Sequence, residues 1–159
     1  MTNPRASADN VRPAASGTFD ADLAFLARWS GPLGLFARIM FAYIFLADGA
    51  GQISSYADVA GYMAANGVDP RLLPLVMLTE IGGGLLVLFG FKTRWAALAL
   101  CGFCLLTALF FHMAADQTIE LQKNIAMAGG FLTLAIYGPG EWSLDAWIKR
   151  RAQAFSSAV

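Results

Sequence analysis

Seven residues in this sequence can do chemistry although apolar residues surround them: Arg38, Asp48, Gln52, Glu80, His112, Lys123 and Asn124. Asp48 and Gln52 follow Arg38 by ten and fourteen positions. At roughly 100° per helical residue this keeps them within a quarter-turn of its face. Glu80 stands in a second apolar stretch, His112 ends a third, and Lys123-Asn124 open a fourth. Together they supply an acid, a base and hydrogen-bond donors, enough to bind a small ligand or exchange protons. Taken singly, Asp48, Gln52, Lys123 and Asn124 read as solvated residues at the edge of an apolar segment. Their convergence from four segments makes them a candidate ligand-binding pocket.

Arg38 and Glu80 are the costliest of the set. An unpaired charge at membrane depth costs at least ~2.5–3.5 kcal/mol on insertion scales, so each is expected to face inward and find a partner. The expectation is that they find each other, with the long arginine side chain covering the vertical gap. Two readings stay open for the pair: a salt bridge that fixes helix register, or a role in the pocket. His112 is the sole histidine and has only Asp116 nearby as a second ligand, so no metal site is expected. Cys101 and Cys104 form a C-x-x-C. At mid-span, desolvation disfavours a thiolate and no free helix N–H groups stabilise one, so both are read as structural. Cys101, Cys104, Ala108 and His112 share an inward face, with Phe103, Leu106 and Phe110 towards lipid.

The elements that must position these residues are membrane spans. The chain is 57% hydrophobic over 159 residues, with a mean hydropathy of +0.55. Apolar stretches run Gly31–Ala47, Pro74–Gly90, Trp95–Met113 and Ile125–Tyr137, near the length that crosses a bilayer. The fold expected is an all-α membrane protein, a four-transmembrane-helix up-down bundle with short interfacial helices. Arg5, Arg12, Arg28, Lys92, Arg94, Lys149, Arg150 and Arg151 fall on one side of this arrangement, against Arg71 and Lys123 on the other. The excess of positive charge in short loops predicts both termini in the cytoplasm. Net charge is zero, which leaves no basic footprint for nucleic acid.

Along the chain, residues 1–18 read as a disordered tail, residues 19–151 as the membrane domain and residues 152–159 as a C-terminal tail. The polar start lacks a charged segment followed by a short apolar core, so no cleaved leader is expected. Asp20–Trp29 reads as an amphipathic helix capped by Asp20, ended by Gly31-Pro32. Tyr56–Asn66 reads as an outer interfacial helix, with Ser55 and Asp58 as a capping box and Gly67 in the left-handed position. Gly138-Pro139-Gly140 ends the fourth span, and Ser143 caps a short helix carrying Trp147. Gly82-Gly83-Gly84 and Ala126-x-x-x-Gly130 are places for close helix packing; room for a flat ligand is the other reading.

These residues together resemble the DoxX family of bacterial inner-membrane proteins. The resemblance rests on Arg38, Asp48-Gly49, Glu80-Ile-Gly-Gly, Gly90-Phe-Lys-Thr-Arg94, His112, Lys123-Asn124 and Gly138-Pro-Gly-Glu-Trp-Ser-Leu-Asp145, and covers about Gly31–Asp145. It implies a multi-pass protein of the bacterial inner membrane linked to quinone-coupled sulfur oxidation or to thiol and oxidative stress. Members often carry His-Gly and a following Lys where this chain has Asp48-Gly49 and Gln52, which alters the charge of the pocket. The implied function is an oxidoreductase subunit that binds a quinone-like ligand between helices and is not catalytic alone. No tightly bound cofactor is expected, and quinone is the ligand class implied. Partners implied are the lipid bilayer, other proteins of a membrane complex and a second copy of the chain. The alternative, from another class, is a non-enzymatic scaffold or small-solute transport module.

Overall fold

The computed structural model describes residues 15–157, with side chains from residue 23. The chain divides into two compact units, Met1–Ser30 and Gly31–Val159. The elements are helices throughout the described residues: α1 (Ala15–Ser54), α2 (Tyr56–Ala65), α3 (Leu73–Phe89), α4 (Thr93–Phe111), α5 (Thr118–Tyr137) and α6 (Leu144–Ser156), with single 3-10 turns ahead of α3 and α5. Three segments are long and apolar enough to cross a membrane: Leu23–Ser54, Pro70–Phe89 and Thr93–Phe111.

Several boundaries differ from expectation. Helix α1 starts before Asp20 and contains Pro32, so neither the cap nor the break forms. Proline is tolerated inside helices of apolar surroundings, where neighbouring groups take up the freed backbone partners. Of the tail expected over residues 1–18, residues 1–14 lie outside the described residues, and 15–18 belong to α1. Of that expected over 152–159, α6 takes residues to Ser156, while 158–159 lie outside the described residues. Ser55 precedes α2 without a side-chain cap, its hydroxyl donating back to the Gly51 carbonyl at 2.9 Å, so the capping box does not form. Gly67 does take positive φ after α2, and Ser143 Oγ does cap α6 by accepting from Ala146 N.

Within Gly31–Val159, neighbouring long helices run antiparallel. Along the α1–α3 seam, Arg38 meets the end of α3 and Gln52 meets Glu80. A Cβ on Gly84 would lie 3.1 Å from the Leu46 side chain of α1, and one on Gly83 would lie 2.9 Å from Leu100 of α4. The glycine run is therefore occupied by packing on two sides, rather than open to a flat ligand. Gly130 of α5 receives the Phe41 ring, and Phe41 and Phe45 both pack on the fully buried Phe131. Much of the rest of the core is small, with Ala96, Ala97, Cys104, Ala128 and Ala135 buried beside Val87 and Leu100. Large side chains point outward instead, among them Phe36, Tyr43, Leu78, Phe89, Trp95, Leu109 and Ile136. Small residues inside and large apolar ones outside suit a bundle whose surroundings are hydrocarbon.

Two arginines hold the end of this bundle at which α3 and α5 stop. Arg38 of α1 donates to the carbonyls of Val87 and Leu88, the last of α3, and to that of Trp142. Arg94 of α4 donates to the carbonyls of Ala135 and Ile136, the last of α5. The final four carbonyls of a helix lack partners within it and carry the negative end of its dipole, so a guanidinium is a fitting cap. Asp145 completes the lock by capping α4: its carboxylate accepts from Lys92 N, Thr93 N and the Thr93 hydroxyl, while its own N–H donates to Gly90 O. Gly90 has φ +67°, and a Cβ there would sit 2.5 Å from Ser143 Cβ and 2.6 Å from Arg38 Nη1. Only glycine fits both the conformation and the space.

Candidate functional site

Arg38 is therefore absent from the pocket expected of it. It is 1% exposed, bonded to main-chain oxygens, and placed at the opposite end of the bundle from the other six candidates. The expected Arg38–Glu80 ion pair does not form, and among the described residues Lys123–Glu120 is the salt bridge present. Gly31 does not mark the start of α1, and Arg38 lies level with the last turn of α3, at the end of the bundle rather than within it. The partner a buried guanidinium wants can equally be carbonyl oxygen, and helix ends provide it.

Glu80 is bonded instead to Gln52, whose Nε2 donates to Glu80 Oε2 at 2.6 Å. One sits on α3 and the other on α1, fourteen residues beyond Arg38. Two adjoining cavities meet at Glu80 and His112. One, of about 200 Å³, is lined by Gln52, Glu80 and His112, with Val59, Tyr62 and Met63 of α2 along it. The second, of about 150 Å³, gathers Asp48, Glu80, His112, Lys123 and Asn124, together with Glu120. Six of the seven sequence candidates thus converge from α1, α3, α5 and the end of α4.

Their local bonding says which are free to act. Asn124 is buried and gives Nδ2 to the Glu120 carbonyl. Lys123 is paired one turn back with Glu120. Among the described residues, the buried side-chain atoms without a hydrogen-bond partner are Arg38 Nε, Gln52 Oε1 and His112 Nδ1. The last two face the Glu80 end, where buried polar atoms left unbonded are costly unless something binds them. Among the described residues, no three His, Cys, Asp or Glu side chains converge as metal ligands.

Phe103 and Thr107 are among the lining residues that the candidate set does not include. Phe103 was expected to face lipid but lies partly buried against the core, and it lines both cavities with Thr107. Phe103, Thr107 and Phe111 recur every fourth residue, and the hydroxyl of Thr107 inside an apolar run was the available signal. Cys104 is fully buried and Cys101 half-buried; both are free thiols, and neither lines either cavity. Leu106 and Phe110 do face outward as expected.

Comparison with known proteins gives the family of the chain. A family model described as DoxX matches residues 33–113, the segment that carries Arg38, Asp48, Gln52, Glu80 and His112. The chain is 46% identical over 120 residues to the inner membrane protein YqjF of Escherichia coli (strain K12), covering 74% of this chain and 92% of that protein. It is 34% identical over 121 residues to the inner membrane protein YphA of the same organism, covering 70% of this chain and 86% of that protein. No solved structure matches.

Proposed function

The chain belongs to the DoxX family, and on that premise we propose that it is a four-span subunit of a quinone- or thiol-linked redox system in the bacterial inner membrane. Its relatives are named inner membrane proteins. Helix α5 serves as the fourth span: 20 residues, with Asn124, Ala128, Phe131 and Ala135 buried and Ile125, Leu132, Ile136 and Tyr137 outward. Twenty residues rise roughly 30 Å, which matches the hydrocarbon thickness. The cytoplasm then lies at the Arg38 end, where Lys92, Arg94, Lys149, Arg150 and Arg151 collect, and the Glu80 end faces outward. Helices α2 and α6 lie at the two interfaces.

The observation that carries the reading is the Gln52–Glu80 pair beside His112, in cavities set within a bundle whose outside is apolar. That combination suits a ligand with an apolar ring and a polar edge. Glu80 and Gln52 orient the polar edge, and His112 and Lys123 exchange protons with it. The sequence contains a single histidine and no flavin fingerprint, so electrons pass to and from protein partners. Solvent extraction of the purified, detergent-solubilised chain should yield a quinone-type molecule in near-stoichiometric amount. Glu80→Leu should lose it while eluting as the same species. A scaffold or solute module would yield no such ligand from either protein.

A further inference from the structure

We propose that the ligand enters from the bilayer between α3 and α4, and that its head is a hydrogen-bond donor: a hydroxyl-bearing ring on an apolar tail, the hydroquinone form rather than the quinone. This rests on the reading above and specifies the ligand.

The entry route is a third cavity, an apolar groove of about 430 Å³ between α3 and α4. Its outer rim is made by Leu75, Leu98, Leu106 and Phe110, all exposed on the face that meets lipid. Its inner wall is Met63, Val76, Phe103, Thr107 and Phe111, and the same five residues line the cavity that holds Gln52, Glu80 and His112. Groove and polar cavity therefore adjoin, with only these five side chains between them. The ring of Tyr62 stacks on Phe111 at 5.5 Å, so α2 covers the polar cavity from the aqueous side. A molecule lying with its tail in the groove places its head against the Gln52–Glu80 pair.

The chemistry of the head follows from donors and acceptors. A carboxylate only accepts, so the Gln52 amide must turn its nitrogen to Glu80, as it does. That leaves Gln52 Oε1, a pure acceptor, buried and unbonded. Glu80 accepts as well, and His112 Nδ1, also unbonded, acts in either sense according to tautomer. Glu80 is an acceptor and the unbonded atom of Gln52 is an acceptor, and an O–H or N–H on the head satisfies both. A hydroquinone satisfies them; a quinone carbonyl opposes them. One net hydrogen bond is worth about 1.4 kcal/mol, a tenfold preference.

Gly102 supplies the test. It lines the groove, and a Cβ there meets nothing within 4 Å, so a side chain introduced at this position starts out in open space beside the groove. Affinities of a decyl-substituted benzoquinone and of its hydroquinone would be measured anaerobically on the full chain in lipid nanodiscs. The hydroquinone should bind about tenfold tighter; Gly102→Phe should weaken both forms at least tenfold; and Glu80→Gln, which offers an amide donor, should narrow the preference. Ala99→Phe, on the same wall, replaces Gly102→Phe if that variant does not elute as the wild-type species. Equal or tighter quinone binding would overturn the donor head and leave the quinone-type site standing. Unchanged binding in the filled-groove variants would show that the groove holds only bilayer acyl chains. Binding of neither form by the wild-type chain would overturn the underlying reading as well.

Discussion

Arg38 Nη1 donates to the main-chain oxygen of Leu88 at 2.7 Å, across the α1–α3 seam and far from the carboxylate of Glu80. The guanidinium is thus a helix cap in the buried interior, and its loss strands carbonyls rather than a counter-ion. Arg38→Gln should destabilise the protein by about 3 kcal/mol, the range for losing charge-assisted bonds at a buried site. Arg38→Lys should recover little, since an ammonium cannot span the same three oxygens. Combined with Glu80→Gln, the losses should add within about 0.5 kcal/mol, because the two sites share no partner. Thermal unfolding in detergent of the two single variants and the double variant measures this, and a double variant milder than the sum would show that the charges are coupled.

Asp145 is expected to matter for folding alone. Its carboxylate accepts the first free N–H groups of α4, at 2.9 Å from Lys92 N and 3.0 Å from Thr93 N. Asp145→Ala should cost about 1–2 kcal/mol, as loss of a helix N-cap does. Ligand affinity at the Glu80 end should be unchanged. A variant of normal stability that fails to bind would move Asp145 from the scaffold to the site.

How much of this was legible in the sequence differs between the two ends of the bundle. Asp48, Gln52, Glu80, His112, Lys123 and Asn124 could be brought together from helical spacing and the order of apolar stretches, since all but Glu80 lie towards one end of the bundle and Glu80 lies in the half of α3 nearer to it. Arg38 could not. Its partners are the carbonyls of Val87, Leu88 and Trp142, and every residue has a carbonyl, so no side-chain type marks them. The same blindness hid Arg94, bonded to Ala135 and Ile136. Phe103 was misassigned because a phenylalanine suits a lipid face and a core face equally, and only the Phe45 ring of the neighbouring helix decides between them.

The thiols offer a separate test. Cys104 is fully buried in the core cluster with Leu100 and Phe131, and no disulfide joins the two cysteines. Changing both to Ala should lower stability by about 1–2 kcal/mol through the small cavity left behind, with ligand binding intact. Complete loss of electron transfer in a double variant that still assembles would show that the pair is redox-active.

The orientation proposed for the chain makes the last prediction. Helix α2 follows the Gln52 end of α1, and α6 follows the Arg38 end of the bundle, so the proposed orientation puts the two helices at opposite faces of the membrane. Asp58 and Ala152 are both exposed, on α2 and α6 respectively. In a chain whose native cysteines are replaced, single cysteines at these positions should differ in labelling by a membrane-impermeant maleimide on intact cells. Position 58 should label at once and position 152 only after the cells are opened. In the proposed orientation, the positive residues Lys149, Arg150 and Arg151 beside position 152 hold that end in the cytoplasm. Labelling of position 152 alone would invert the protein, and equal labelling would mean an odd number of spans between the two positions does not separate them.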